Sequence, residues 1–268
     1  MVNRKTMLTM VGLILTVVFA PEIFAQSTIE YYALKKYRKW GIVAGPILYD
    51  RAVLEPQYGD YTFDNKPMWG FNAGFEYDFY PDKKWSFITG FIVALEPVYK
   101  VRVNIKKEDV YSHFEEDVLT LDEKYYAMTS FSAPILLRLN LQISKRIFVN
   151  FRTGLKAMYF PDGSASLSWT FHNEDETEAR EVFGLRVESP YNWFQGSFVI
   201  GTGCSYATKK LLFKANMIYV MNFQNAMDGE YLFDNMFVSA RSRGYYKLSG
   251  NYLGLVFSAS LAKKKDKW

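Results

Sequence analysis

Side chains able to do chemistry are few in this chain, and they fall into two sets. Histidine occurs twice, at His113 and His172. His172 stands near Glu174 and Asp175, a grouping that would hold a metal weakly and fits no strong zinc spacing. Ser168 lies four residues before His172 and offers a nucleophile beside a base, but no G-x-S-x-G elbow supports the pair. Cys204, the single cysteine, sits in an alternating apolar run and reads as a small hydrophobe. No catalytic, cofactor-binding or metal set is therefore assigned. The second set is charged: Glu76, Asp78, Glu96, Lys100, Arg102, Arg138, Arg152, Lys156 and Lys214. Each occupies the polar side of a segment whose other side is apolar.

The segments that position these charges alternate with the period of a strand, in which successive side chains point to opposite faces. From Phe131 to Ile143 one face carries Phe131, Ala133, Ile135, Leu137, Leu139, Leu141 and Ile143. The other carries Ser130, Ser132, Arg138, Asn140 and Gln142. After Ser144-Lys145-Arg146 the alternation resumes, with Val149, Phe151 and Leu155 against Asn150, Arg152, Gly154 and Lys156. Six more segments read the same way: Trp40 to Tyr49, Trp69 to Tyr80, Trp85 to about Ile105, Asn192 to Ala207, Leu211 to Phe223 and Asn251 to Ala262.

Eight strands thus appear, joined by connections that run long, short, long, short, long, short, long. Outer-membrane barrels have short periplasmic turns, long outer loops and an even strand number. A soluble eight-stranded barrel of lipocalin type would bury its apolar faces inside. Its pocket could not then be lined by the opposite faces, which here carry six basic and three acidic residues. The expected fold is all-β: an eight-stranded antiparallel up-and-down transmembrane β-barrel with four long outer loops and short periplasmic turns. A barrel of this size is filled by its own side chains. The charges therefore predict two ion-pair layers plugging the lumen. Glu76, Asp78, Arg138, Arg152 and Lys214 fall toward the periplasmic half, and Glu96, Lys100, Arg102 and Lys156 toward the outer half. A charge-lined pore for small solutes is the alternative.

Aromatic residues gather where strands meet loops, and amphipathic rings suit the headgroup layer. Trp69, Tyr126, Tyr159, Trp193 and Tyr246 predict an outer girdle, with Trp40 and Trp85 at the opposite rim. The connection from Lys106 to Lys124 holds seven acidic residues against three lysines, and that from Asp162 to Pro190 seven against two arginines. These loops would share divalent cations with lipopolysaccharide phosphates or meet a basic envelope protein. The formal net charge of +4 and the lack of a basic stripe give no support to nucleic acid as a partner.

The N-terminus has the layout of an export signal: Arg4 and Lys5, then an apolar stretch from Met7 to Ala20, then Ile23-Phe24-Ala25. The apolar stretch is about 14 residues, short of the roughly 20 that a spanning helix needs. The expected organisation is a cleaved signal peptide at 1–25, a periplasmic lead-in at 26–39, an outer-membrane barrel at 40–262 and a basic tail at 263–268.

The segment Phe131 to Ile143 (FSAPILLRLNLQI), with its Pro-aliphatic-Leu-aliphatic-basic core, is followed by a very short turn and a strand with an inward Gly154. Together with the glycines Gly196, Gly201 and Gly203, it resembles the PorT-type outer-membrane β-barrel proteins. The resemblance covers the mature chain in layout. It implies a non-enzymatic barrel. Some members of that family belong to the type IX secretion apparatus and many have no assigned role, so the expectation is a structural or interaction barrel, with no cofactor, that serves protein secretion (type IX-like) or envelope assembly. A lipid-modifying outer-membrane enzyme is a further alternative. Pro134 departs from strand chemistry, since proline cannot donate to a sheet ladder, and the lysine tail departs from the usual terminal aromatic residue.

Cleavage after Ala25 predicts that the mature chain begins at Gln26. Intact-mass measurement of protein purified from outer membranes checks this, and a mass that retains the first 25 residues would contradict it.

Overall fold

Backbone N–H and C=O groups lose their water partners in hydrocarbon, so a spanning sheet has to bond every edge to itself. The computed structural model, which describes residues 32–110, 117–125, 128–160, 163–172, 179–189, 194–236 and 241–263, meets that requirement with a closed barrel. Its strands are β1 (Trp40–Tyr49), β4 (Met68–Asp78), β5 (Trp85–Glu96), β8 (Met128–Gln142), β9 (Ile147–Tyr159), β12 (Phe194–Ala207), β13 (Leu211–Asn222) and β16 (Tyr252–Leu261). Each pairs antiparallel with its chain neighbours in this set, and β1 pairs with β16 to close the ring. This is the up-and-down barrel expected from the alternation.

The apolar faces point outward, where Ile42, Phe75, Phe87, Ile135, Leu155, Phe213 and Phe257 are exposed. Cys204 lies on this same outer side. Prolines enter two barrel strands, and the ladder gives way beside each. Between β5 and β8 the register runs from Thr89↔Ile135 to Ile92↔Ser132, leaving the Pro134 step unpaired. Between β1 and β16 it runs from Ala44↔Phe257 to Ile47↔Gly254, skipping Pro46. Gly45 permits the close approach there, because a side chain would meet the Leu255 carbonyl oxygen at 1.7 Å.

The four long connections are not irregular loops. They fold into eight further strands at one end of the barrel, here termed the cap. The first connection forms β2 (Val53–Tyr58) and β3 (Asp64–Asn65), the second β6 (Tyr99–Lys106) and β7 (Val118–Tyr125). The third forms β10 (Ser164–His172) and β11 (Ala179–Glu188), the fourth β14 (Met227–Phe233) and β15 (Ser242–Leu248). They assemble as a five-stranded sheet, β10-β11-β14-β15-β2, and a three-stranded sheet, β3-β6-β7.

One apolar core joins the two sheets. Val101, Val103 and Ile105 of β6 meet Phe183, Leu185 and Val187 of β11, Tyr231 and Phe233 of β14, and Tyr246 and Leu248 of β15. Phe63 sits at the centre, with its ring centroid 5.4 Å from Phe183 and 5.2 Å from Tyr231. This corrects the long third strand expected over Trp85 to Ile105. Pro97 follows the last residue of β5, and the chain leaves the barrel before Tyr99. Tyr99, Val101 and Val103 therefore fill a core instead of facing lipid.

The other barrel end holds the short turns and the first and last described segments. Helix α1 (Tyr32–Lys35) leads into Tyr37, which is fully buried and donates its hydroxyl hydrogen to the Thr208 carbonyl. Leu34 and Tyr37 pack on Phe148, Ala207 and Leu212. The Arg38 N–H donates to the Leu261 carbonyl at 2.8 Å, and that of Lys263 to the Lys36 carbonyl at 2.7 Å. The N-terminal segment thus floors the barrel. The expected signal peptide lies outside the described residues, as does the basic tail beyond Lys263.

Truncating a core aromatic costs about 3–5 kcal/mol. Phe183→Ala is expected to open the cap to limited proteolysis while the barrel keeps its heat-modifiable gel mobility. Loss of both together would show that cap and barrel fold as one unit.

Candidate functional site

Alternation sends every second strand residue into the lumen, and the register sets its height. Five charged side chains in the floor half come from four strands. Arg138 of β8 and Arg152 of β9 stand directly opposite each other in the ladder. Two guanidinium groups so placed repel unless carboxylates intervene, and β4 supplies two on one face, Glu76 and Asp78. Arg138 Nη2 lies 2.5 Å from Asp78 Oδ2, and Arg152 Nη1 lies 3.0 Å from Glu76 Oε1. Lys214 of β13 approaches Asp78 Oδ2 from across the ring at 3.7 Å. Ser86 Oγ donates to the other Asp78 oxygen.

In the ring, β5 separates β4 from β8, and both β5 and β8 separate it from β9. The ion pairs consequently bridge the lumen and do not line a wall. All five charged side chains are 7% exposed or less. Asn140 Nδ2 donates to the Lys83 carbonyl at 3.2 Å, tying this layer to a floor turn.

Next toward the cap comes a layer of inward apolar side chains that the patterning did not single out. Val43, Ile47, Ile88, Leu136, Val199, Ile218, Val220 and Val256 form one buried cluster. Above it, Ser130 Oγ donates to Glu96 Oε1 at 2.6 Å, and Lys156 Nζ donates to the Tyr252 hydroxyl at 3.1 Å. Lys156 also sits 4.8 Å from the centre of the Tyr252 ring, within cation–π range. Ser197 Oγ donates to Asn222 Oδ1 at 2.6 Å.

The outer half of the lumen is therefore a hydrogen-bonded layer, which corrects the expected second ion-pair layer. Lys100 and Arg102 are absent from it because their strand belongs to the cap. Arg102 forms a surface ion pair with Asp122, whose carboxyl is held below the usual carboxylate range chiefly by that hydrogen bond. Lys100 lies opposite Lys124 in the same sheet.

Of the expected girdle, Trp40 and Trp85 begin β1 and β5 at the floor end, and Trp69 is 61% exposed near the cap end of β4. Tyr159 packs tilted against Phe194, with centroids 5.0 Å apart, at the cap end of β9. Lys83 lies over the Tyr80 ring at 4.9 Å and Arg38 over Trp40 at 5.5 Å, so cations accompany the aromatic rings at the floor rim. Tyr126 and Trp193 fall outside the described residues. Tyr246 is a correction: it is fully buried in the cap core and donates to the Val98 carbonyl at 3.0 Å. Burial raises its hydroxyl pKa. An aromatic residue at a strand end looks the same in sequence whether its neighbours are headgroups or a second sheet.

Ser168 and His172 both lie on β10, where four steps of about 3.3 Å separate them by roughly 13 Å. A nucleophile and its base need about 3 Å, so these two do not form a dyad. His113 is outside the described residues. Among the described residues, no three His, Cys, Asp or Glu side chains gather as a metal site. Three of the loop acids are engaged within the cap, Asp122 by Arg102, Glu108 by Lys106 and Asp109 by the Tyr61 hydroxyl.

Residues 24–228 match the family model described as outer membrane protein beta-barrel domain. No curated protein matches the chain. Among solved structures, the outer membrane protein OprG from Pseudomonas aeruginosa is similar at 11% identity and a TM-score of 0.43, covering 84% of this chain and 96% of that one. Ail, the attachment invasion locus protein of Yersinia pestis, is similar at 15% identity and a TM-score of 0.28, with 83% and 96% covered. The outer membrane protease OmpT from Escherichia coli is similar at 7% identity and a TM-score of 0.32, with 82% and 96% covered.

Removing one partner of a buried ion pair leaves an uncompensated charge and costs about 3–5 kcal/mol, whereas replacing both partners with apolar residues is often neutral. Arg152→Leu alone is expected to lower the denaturant midpoint of the folded barrel. The double variant Glu76→Leu/Arg152→Leu should recover most of the loss. Equal midpoints for the single variant and the native chain would show that the pair contributes nothing.

Proposed function

This chain belongs to the outer membrane protein beta-barrel domain family, and we propose that its barrel is a sealed, non-enzymatic anchor displaying the cap for interactions at the envelope. The observation that carries this reading is the stacking of four different layers along the barrel axis. The floor of Leu34 and Tyr37, the cross-lumen ion pairs, the apolar cluster and the hydrogen-bonded layer succeed one another beneath the cap core. A conduit needs an open polar path, and these layers of buried side chains fill the lumen instead. The cap has its own buried core, which loops serving only as connections do not require.

The finer reading is an accessory of protein secretion of the type IX kind, or of envelope assembly. It is supported by the resemblance to PorT-type barrels in the Pro134 strand and the inward Gly154. On this reading the chain is exported by a cleaved signal peptide and resides in the outer membrane with its floor periplasmic and its cap outermost. Its partners are outer-membrane lipid, lipopolysaccharide and envelope proteins, with no nucleic acid and no cofactor. A small-solute pore is the second reading, favoured only by the presence of charged side chains inside the barrel.

Planar-bilayer recording separates the two. The native protein is expected to show no large stable channel, and Glu76→Ala/Asp78→Ala to show more frequent openings because it unpairs Arg138, Arg152 and Lys214. A large open channel in the native protein sinks the sealed-anchor reading. For the secretion role, a deletion strain should lose defined exported proteins from its culture fluid, and an unchanged secretome would count against it.

A further inference from the structure

The solvent side of the five-stranded cap sheet carries a trough that the sealed-anchor reading leaves unused. Its line follows from the register. Ser168 lies opposite Gly184, Gly184 opposite Leu232, Leu232 opposite Arg243, and Arg243 opposite Tyr58, so one row crosses all five strands. In the adjacent row Ser166 lies opposite Arg186, and Arg186 opposite Glu230. The short residues Ser166, Ser168 and Gly184 make the floor low, and the long ones stand as banks. The resulting concavity holds about 590 Å³, within the usual range of roughly 300–1,000 Å³ for small-ligand sites.

The charges in this trough divide into spent and unspent groups. Arg243 is paired with Glu230, and Arg241 with Asp234. Arg186 and Glu181 form no ion pair among the described residues, although both line the same concavity. The hydroxyls of Ser166 and Ser168 lie on the solvent face, and the Tyr58 ring is 48% exposed at the far end of the row. An unpaired fork of donors, an unpaired carboxylate, small hydroxyls and an open aromatic ring are complementary to one ligand class. Vicinal hydroxyls accept from a guanidinium and donate to a carboxylate at once, and the C–H face of a pyranose ring covers a tyrosine. Arg241 and Arg243 are neutralised by Asp234 and Glu230, which leaves Arg186 against Glu181 and no net charge to select a strongly anionic ligand, and an apolar ligand would leave the polar banks unsatisfied.

We propose that this trough is a saccharide-binding site that takes a hydroxyl-rich oligosaccharide of a few rings lying across the strands. The proposal rests on the reading of the cap as a displayed interaction surface. Two sources supply such chemistry, the sugars of lipopolysaccharide and free polysaccharide chains outside the cell.

The test uses the full mature chain in detergent micelles on an immobilised array. One arm carries lipopolysaccharide core oligosaccharides, another neutral hexasaccharides, and a third sulfated sugars. Retention on the first or second arm is expected, and the arm that retains the protein names the source. Gly184→Val should abolish retention by filling the trough. Its new Cβ meets only the flexible end of Glu181, at 2.4 Å from Oε1, so the sheet has room to keep its fold. Arg186→Gln and Glu181→Gln should each weaken retention by about tenfold, the size of one lost charge-assisted hydrogen bond. Circular-dichroism melting of each variant separates a lost site from a lost fold. No retention on any arm, retention only in proportion to sulfate charge, or unchanged binding by a folded Gly184→Val protein would overturn the saccharide site. A secretion defect in the deletion strain alongside an empty array would sink this inference alone and leave the anchor reading standing.

Discussion

Every polar backbone group placed in hydrocarbon has to be bonded within the protein, and the rest of this structure depends on how the ring of eight strands meets that demand. Closure of β1 on β16 leaves no free edge in the membrane. It also fixes which half of the side chains faces inward. The inward half must then fill a narrow space, and it includes residues that could not stand alone there. Arg138 and Arg152, placed side by side by the ladder, are tolerable because Glu76 and Asp78 reach them across the lumen. The side-chain-filled interior is thus a consequence of closure at this strand number. The ion pairs are what make closure compatible with these particular residues.

The two prolines show how far the constraint bends. Pro46 and Pro134 cannot donate, and at each two successive ladder pairs are missing while pairing on the strand's other side continues. Closure survives because the neighbouring ladders are long. The cap works under a different rule, since it stands in water and neither of its sheets closes on itself among the described residues. Its stability comes from burying Phe63, Phe183, Tyr231 and Phe233 between two sheets. Its solvent face is free to carry polar groups such as Arg186 and Glu181 that no fold requirement explains.

Much of this was legible in the residues alone. Period-two alternation, together with the rhythm of long and short connections, determined the number of barrel strands, their order and which face meets lipid. Glu76, Asp78, Arg138, Arg152 and Lys214 were readable as one layer, because their positions relative to the short turns set a common height. The cap was also signalled, in part. Tyr99, Val101, Val103 and Ile105 alternate, as do Leu185 and Val187, Tyr231 and Phe233, and Tyr246 and Leu248. An alternating apolar face says only that something covers it, and lipid and a second sheet leave the same pattern.

That ambiguity marks what tertiary structure alone decided. Whether Lys100 and Arg102 enter the lumen depends on where β5 ends, and the chain leaves the barrel at Pro97 because β7 offers β6 a partner and strands of the distant third and fourth connections offer it a core. Tyr246 is a core residue and not a membrane anchor for the same reason: Phe63 and Val98, far away in the chain, converge on it. The row from Ser168 to Tyr58 joins residues of four strands besides β10 that only the cap register aligns. Alternation is a local property and is written along the chain. The identity of what lies against each face is set by pairing between segments far apart, and only the folded sheets supply it.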